Sequence, residues 1–380
     1  MKFIIKKEYL IEGLNNVSKA ISSKNLIPIL AGIKFELKKD GLYLSASDTD
    51  ISIQSFISNE KISEVIELGS IVIYGKYIVE IIRKLPNVDI SIEVLDGFKM
   101  LITTDNSSFN LNGINPNEFP NLYLEETKEP IVLKNSELKA LINKVAFATS
   151  PSESRPILTG INFIINGDNL EVLATDSYRL AKYSINIDKF NSNSVNLVIP
   201  CRNLLELIKI IDDNGEIEMH LFNNKVLFKY KNILFQSRLL SGTYPTNSSV
   251  IPSNFEIQID VDVNVLYEMI DRASLLTSDK DKNTIKLMLN KNELVILSNS
   301  PEIGKVEEKL SLVTDKEIDI SFSSKYMMEA LRSFEAETVT ICMNNDISPI
   351  VIKSTDDKYI DPWPSTGFTC SEFTERVCKW

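Results

Sequence analysis

The stretch "PILAGIKFELKKDGLYLSASDTD", starting at Pro28, lies without a gap over "PILTGINFIINGDNLEVLATDSY", starting at Pro156, so the chain repeats itself at an offset of 128 residues. No other feature constrains the fold as much, because each copy must form the same supersecondary unit and bury the same faces. Gly32 matches Gly160, Phe35 matches Phe163, Asp40 matches Asp168 and Asp48 matches Asp176. A degenerate third copy, "NTIKLMLNKNELVILSNSPE" from Asn283, keeps the strand-turn-strand pattern without the Pro-Ile-Leu entry. Ahead of each copy, Leu10, Leu138 and Leu266 keep the same spacing. Each is followed four and seven positions later by apolar residues: Leu14 and Val17, Ile142 and Val145, Ile270 and Ala273. That spacing predicts an amphipathic helix in every repeat.

A second helix recurs in "YGKYIVEIIRKLP", "PCRNLLELIKIID" and "SSKYMMEALRSFE", and stretches such as "EIEMHLFNNKVLFKYKNILFQSRL" alternate as strands do. The expected fold class is α+β: three similar domains, each with two helices on antiparallel sheet. Their expected bounds are 1–126, 127–252 and 253–361. Such repeats make an elongated scaffold, or close into a ring if a constant rotation joins them, and a dimer would then bring six units together.

Composition removes several functions. The single histidine, His220, falls in a strand-like segment and leaves no basis for a Ser-His-Asp or Cys-His mechanism. With 13 glycines, neither G-x-x-x-x-G-K-[ST] nor G-x-G-x-x-G is present, so nucleotide-phosphate cradles are missing. Four cysteines without a C-x-x-C pair make neither a zinc site nor a disulfide framework. No long apolar run and no signal peptide are found, which predicts a cytoplasmic protein with no membrane association. A net charge of −11, from 41 basic and 52 acidic residues, argues against broad nucleic-acid binding but leaves room for a local basic surface.

Several stretches together resemble the bacterial DNA polymerase III beta subunit family, the DNA sliding clamps. They are "MKF" at the start, "LIPIL" at 26–30, "IIRKLP" at 81–86, "FPNL" at 119–122, "ESRPILTGI" at 153–161, "ATDSYRLA" at 174–181 and "GTYPTNSSVIP" at 242–252. The resemblance covers residues 1–361. It implies a clamp fold in which two chains of three domains join head to tail into a ring, sheets outside and helices lining the hole. It also implies a non-catalytic processivity factor without cofactor or metal. The ring would encircle double-stranded DNA regardless of sequence and tether the replicative polymerase, the clamp loader and other proteins that carry a clamp-binding motif.

By the same resemblance, Leu158, Thr175, Ser177, Tyr178, Arg179, Leu180, Pro245 and Val250 form a pocket for short linear motifs. The leucines, Pro245 and Val250 would give apolar walls. Lys24, Arg83, Lys84, Arg202, Lys209 and Arg332 are expected to face the DNA and meet phosphates without reading bases. Asp176 is assigned to its turn, where the carboxylate can bond nearby backbone. Two other readings compete. One is a metal-dependent nuclease using Asp48, Asp50 and Asp176; Asp48 and Asp176 are, however, equivalent positions of different repeats, whereas such a site needs clustered carboxylates. The other is a peptide-binding repeat scaffold that never closes around DNA.

The end of the chain departs from the family. Residues 362–380, "PWPSTGFTCSEFTERVCKW", hold both tryptophans and two of the four cysteines. This segment reads as an atypical tail, either introduced when the chain was made or a natural extension over the pocket, and it puts the family's carboxyl-terminal pocket wall in question. Ser248 and Ser249 also stand where relatives often carry arginine, and Tyr178 occupies a variable position, so partner preference is expected to differ.

Overall fold

The protein is described by a computed structural model covering residues 1–21, 27–188, 194–245, 251–252, 254–277 and 283–354, together with the strand Thr366–Cys370. In the first repeat β1 (Lys2–Lys6) leads into α1 (Lys7–Val17). There follow β2 (Gly32–Leu37), β3 (Gly41–Ser47), β4 (Ile51–Ser58), β5 (Ile62–Glu67), β6 (Gly69–Tyr74), α2 (Gly75–Lys84), β7 (Asp89–Leu95), β8 (Lys99–Thr104) and β9 (Ser107–Asn112). The second repeat runs β10 (Ile131–Lys134), α3 (Asn135–Ala146), β11 (Gly160–Asn166), β12 (Asn169–Thr175), β13 (Arg179–Asn186), β14 (Val195–Pro200), α4 (Cys201–Leu207), β15 (Glu216–Leu221), β16 (Lys225–Tyr230) and β17 (Ile233–Arg238). The third runs β18 (Ile257–Asp262), α5 (Val263–Ser274), β19 (Thr284–Leu289), β20 (Glu293–Ser300), β21 (Gly304–Ser311), β22 (Ile318–Ser323), α6 (Ser324–Leu331), β23 (Thr338–Met343), β24 (Ile350–Ser354) and β25 (Thr366–Cys370). No helix among the described residues is long and apolar enough to cross a membrane.

Two compact units divide the chain. The first holds Met1–Ser136 and Arg202–Leu239, the second Glu137–Cys201 and everything from Leu240. In the first unit, one sheet is ordered β5-β1-β7-β8-β9 and the other β10-β15-β16-β17-β4-β3-β2-β6. In the second, one is ordered β14-β11-β12-β13-β25-β24-β23-β18 and the other β21-β20-β19-β22. Both eight-stranded sheets are joined at corresponding positions: β17 pairs antiparallel with β4, and β25 pairs antiparallel with β13. Thr366–Cys370, within the segment set apart by its composition, thus holds the place that β17 holds in the second repeat.

Helices cover these sheets through the predicted stripes. Leu10, Leu14 and Val17 of α1 are fully buried, and the helix packs on α2, β3 and β4. Gly13 lets the helix pack closely there: an added Cβ would lie 2.9 Å from Leu44 Cδ1, which would have to shift. In the second unit, Leu266, Ile270 and Ala273 of α5 are buried, and the side chain of Asp262 caps the helix by accepting from Val265 N at 2.9 Å. Lysines close two other helix ends. Lys7 Nζ donates to Arg83 O at 3.0 Å and to Leu85 O, while Lys144 Nζ donates to Ser333 O at 2.8 Å just past α6. A cation at carbonyls that lack a helical partner is favourable for both hydrogen bonding and the helix dipole.

The pairing of β25 predicts a hydrogen-exchange result. Amides of β13 and β24 should be protected in the full chain, and those bonded to β25 should lose at least tenfold of that protection when the chain is truncated before Thr366. Unchanged exchange would show that the strand does not occupy that place.

Candidate functional site

The turn between β12 and β13 is held by side chains on both flanks. Asp176 Oδ1 accepts the main-chain N–H groups of Tyr178 and Arg179 at 2.9 and 3.0 Å. Thr175 Oγ1 accepts from Ser177 N at 3.1 Å and donates to Arg179 O at 2.6 Å. These bonds hold Ser177 at φ 77°, in the left-handed region that a serine seldom adopts. The first repeat builds the same device: Asp48 Oδ1 accepts from Asp50 N and Ile51 N at 3.1 and 2.9 Å, and Thr49 sits at φ 80°. The carboxylates of Asp48 and Asp176 are therefore engaged by their own turns, as the reading of Asp176 expected, and offer no clustered set for a nuclease metal.

Beside this turn lies an apolar cluster of Leu158, Leu173, Leu180, Val198 and Tyr244, with Ile157, Leu240 and Ile251 packed against it. Leu158 and Leu180, named above for the pocket, both belong to it and are buried. Leu173, Val198 and Tyr244 were not singled out from the sequence, although Leu173 interrupts the alternation of β12 and Tyr244 precedes the named Pro245. Tyr244 Oη accepts from Thr175 N at 3.0 Å and donates to Gly160 O at 3.4 Å. It thereby satisfies main-chain groups just beyond Asn162 and Leu173, the outermost registered pair at that end of β11 and β12. Burial pushes the Tyr244 phenol well above its usual range, so the hydroxyl stays protonated.

Other named residues lie apart from this cluster. Ser177, Tyr178 and Pro245 are exposed, and Val250 lies outside the described residues. The Tyr178 ring stands 6.2 Å from that of Tyr326. Arg179 follows the alternation of a strand: Leu180 faces the cluster, so the guanidinium points away from it. There it is buried, bonded to Asp176 Oδ2 at 3.1 Å, to Glu329 and to Phe147 O, and it stacks 4.5 Å from the Tyr326 ring. Burial raises the Asp176 carboxyl above its usual range, against the opposing pull of its hydrogen bonds and of Arg179.

Register explains why one repeat carries the cluster. Leu180 faces Thr175 across β12 and β13; the corresponding pairs are Ser52 with Ser47 in the first repeat and Lys305 with Asn299 in the third. In the first repeat Ile29, Leu30, Val72 and Phe119 still form an apolar rim, but the floor is polar, with Ser47 and Ser52 hydroxyls 2.8 Å apart. Phe119 also lacks the hydroxyl that Tyr244 uses. The corresponding position is therefore apolar in the second repeat and carries hydroxyls in the first.

All five described residues assigned to the DNA face are exposed; Lys24 lies outside the described residues. They differ in what holds them. Arg83 bonds Glu80 and reaches Asn15 at 3.4 Å, Lys209 pairs with Glu206 at 2.8 Å, and Arg332 lies 5.0 Å from the Tyr267 ring and bonds its hydroxyl. Lys84 and Arg202 have no such partner among the described residues, so their charge is the more available to phosphate.

One group of metal-ligating types converges among the described residues: Glu126, Glu218 and His220, with ligand atoms within 4.8 Å of one another. His220 Nδ1, however, accepts from Thr127 N at 2.9 Å, which places the ring proton of the neutral form on Nε2, 3.2 Å from Glu218 Oε2. A protonated nitrogen has no lone pair for a metal. Lys229 Nζ already sits 2.6 Å from Glu126. The group works as a fastening for the segment before β10, which Lys225 also holds through Tyr123 O at 2.5 Å.

Comparison with known proteins agrees with this arrangement. Residues 1–123 match the N-terminal domain of the DNA polymerase III beta subunit, 132–246 its central domain and 248–363 its C-terminal domain. The beta sliding clamp of Bacillus subtilis (strain 168) is 41% identical over 368 residues, covering 95% of this chain and 97% of the relative. That of Staphylococcus aureus (strain Mu50) is 39% identical, covering 94% and 96%. The crystal structure of the Bacillus subtilis DNA polymerase sliding clamp superposes with a TM-score of 0.91 at 39% identity, covering 98% of both chains. The Streptococcus pneumoniae DNA polymerase III beta chain gives 0.91 at 32% identity, covering 97% of this chain and 98% of that one. This chain, with its three clamp repeats and the apolar-floored cluster of the second, belongs to the DNA polymerase III beta subunit family, the beta sliding clamps.

Proposed function

We infer that the chain is a processivity factor of bacterial replication, non-catalytic and cytoplasmic. Two copies joined head to tail would encircle duplex DNA, slide along it and tether the polymerase, the clamp loader and other motif-bearing proteins. One observation carries the ring reading. In both eight-stranded sheets the fourth strand of one repeat pairs with the last strand of the next, β4 with β17 and β13 with β25. The remaining strands of those two kinds, β21 and β9, end their sheets. A second copy would supply the missing partner to each, which closes the series and pairs those two edges. Light scattering at micromolar concentration should give about 86 kDa, twice 42.9 kDa. A mass near that of one chain would favour the open peptide-binding scaffold.

The cluster around Leu158, Leu180 and Tyr244 is the inferred motif pocket, with Thr175, Ser177, Tyr178 and Pro245 at its margins; Val250, outside the described residues, belongs to the set by resemblance alone. Arg179 serves it from behind, by holding the turn against α6. The experiment is direct titration with a peptide taken from the replicative polymerase. Leu180→Ala with Pro245→Ala should weaken binding at least tenfold and leave the dimer mass unaltered, because a few buried apolar anchors carry most of the affinity of such motifs. Equal affinity would remove the pocket assignment.

The DNA-facing set is inferred to act through charge alone. Replacing Lys84 and Arg202 together by alanine should lower the slope of log affinity against log salt by about 2, near 0.9 for each phosphate left unneutralised. Arg83→Ala and Lys209→Ala should change it less, since their charges are shared with Glu80 and Glu206. An unaltered slope in the first pair would take those residues off the DNA face.

A further inference from the structure

One buried polar side chain serves neither the fold nor the pocket as described. Asn162, on β11, is 0% exposed, and neither Nδ2 nor Oδ1 has a hydrogen-bond partner. Ser55 Oγ and single atoms of Asn135, His220 and Gln236 are also unpaired; among the described residues Asn162 is the carboxamide that lacks partners at both Nδ2 and Oδ1. Such a group carries its full desolvation penalty, and native proteins keep few of them.

Its position is specific. Asn162 stands directly opposite Leu173 on β12 and Val198 on β14, and both belong to the pocket cluster. Residues opposite one another share a face of the sheet, so the carboxamide is set into the pocket floor between two apolar neighbours. Gly160, the next residue of β11 on that face, lies under Leu240, whose Cδ1 would be 2.8 Å from an added Cβ. The same register position holds lysine in the other repeats. Lys34 stands opposite Ser45 and reaches Glu36 at 3.7 Å; Lys286 stands opposite Leu297 and reaches Asp319 at 2.7 Å. A lysine carries its charge past the sheet to solvent and a carboxylate, whereas the polar atoms of asparagine stop at the floor. Only the repeat with the pocket has the short amide.

We propose that Asn162 is a specificity-determining residue of the pocket: a bound segment that displaces Leu240 presents a donor and an acceptor side by side, and these pair with Nδ2 and Oδ1. The proposal rests on the motif-pocket reading above. Two sources supply that pair of atoms, a side-chain carboxamide and the main-chain N–H and C=O of one residue in an extended segment. A site built to hydrogen-bond such a group rejects a segment that lacks it, because the floor is then left unpaired.

The test is a double-mutant cycle on the full-length dimer with the polymerase-derived peptide. Asn162→Leu removes the unpaired group, so the thermal midpoint should rise while peptide affinity falls at least tenfold. Peptide forms with one main-chain N-methyl group, or with one carboxamide replaced by an alkyl isostere, identify the source: for a single form, Asn162→Leu should cost nothing further. If Asn162→Leu does not fold, Asn162→Thr enters the same cycle. Equal affinity of variant and parent for every form overturns the proposal, and the amide then only holds water. Binding that Leu180→Ala weakens and neither Asn162 variant weakens overturns this proposal alone. Failure of the parent protein to bind the peptide overturns both readings.

Discussion

A sheet edge is a row of N–H and C=O groups that must be paired, covered or left to water, and the order of strands in this chain follows from how those edges are satisfied. At β4 and at β13 the partner comes from the following repeat, through β17 and β25. Because the bonds are main-chain, the pairing asks little of side-chain identity. A segment as unlike the rest as Thr366–Cys370 can hold the same place as Ile233–Arg238. The repeats remain recognisable in architecture after the third has lost its Pro-Ile-Leu entry for the same reason.

The gapless match at an offset of 128 residues and the helical stripes after Leu10, Leu138 and Leu266 made the repeats and their α+β character readable from sequence. The turn role of Asp176 was readable too, since aspartate bonds its own downstream amides by local geometry. What escaped depended on partners distant in the chain. Tyr244 reaches Thr175 across 69 residues, and Arg179 reaches Glu329 across 150. Alternation alone would have turned the Arg179 guanidinium away once Leu180 was placed in the pocket. Arg83 and Glu80 lie three residues apart on α2, and Lys209, just past α4, lies three residues from Glu206; both pairs are local in the chain. Composition set residues 362–380 apart, and the pairing of Thr366–Cys370 with β13 and β24 is a contact that composition does not encode.

Charge and apolar contact are divided between different parts of the molecule. The exposed cations proposed for the DNA face are few in a chain of net charge −11, and Arg83 and Lys209 among them are already paired with carboxylates, which suits contact that is weak and indifferent to sequence. The proposed motif pocket instead has an apolar floor, where the first repeat has Ser47 and Ser52 and the third has Lys305. The duplicated framework is thus kept while a handful of positions at one end of the sheet differ in polarity between the copies.

The strand that carries Leu180 also determines how a pull on the pocket is borne. β13 is flanked on both sides, by β12 and by β25, within an eight-stranded sheet. A partner held at the proposed pocket and drawing along the strand direction would load two ladders of hydrogen bonds in parallel, in shear, with Arg179 pinning the same strand from its other face. A short peptide contact would then give way, and could re-form, before the sheet beneath it.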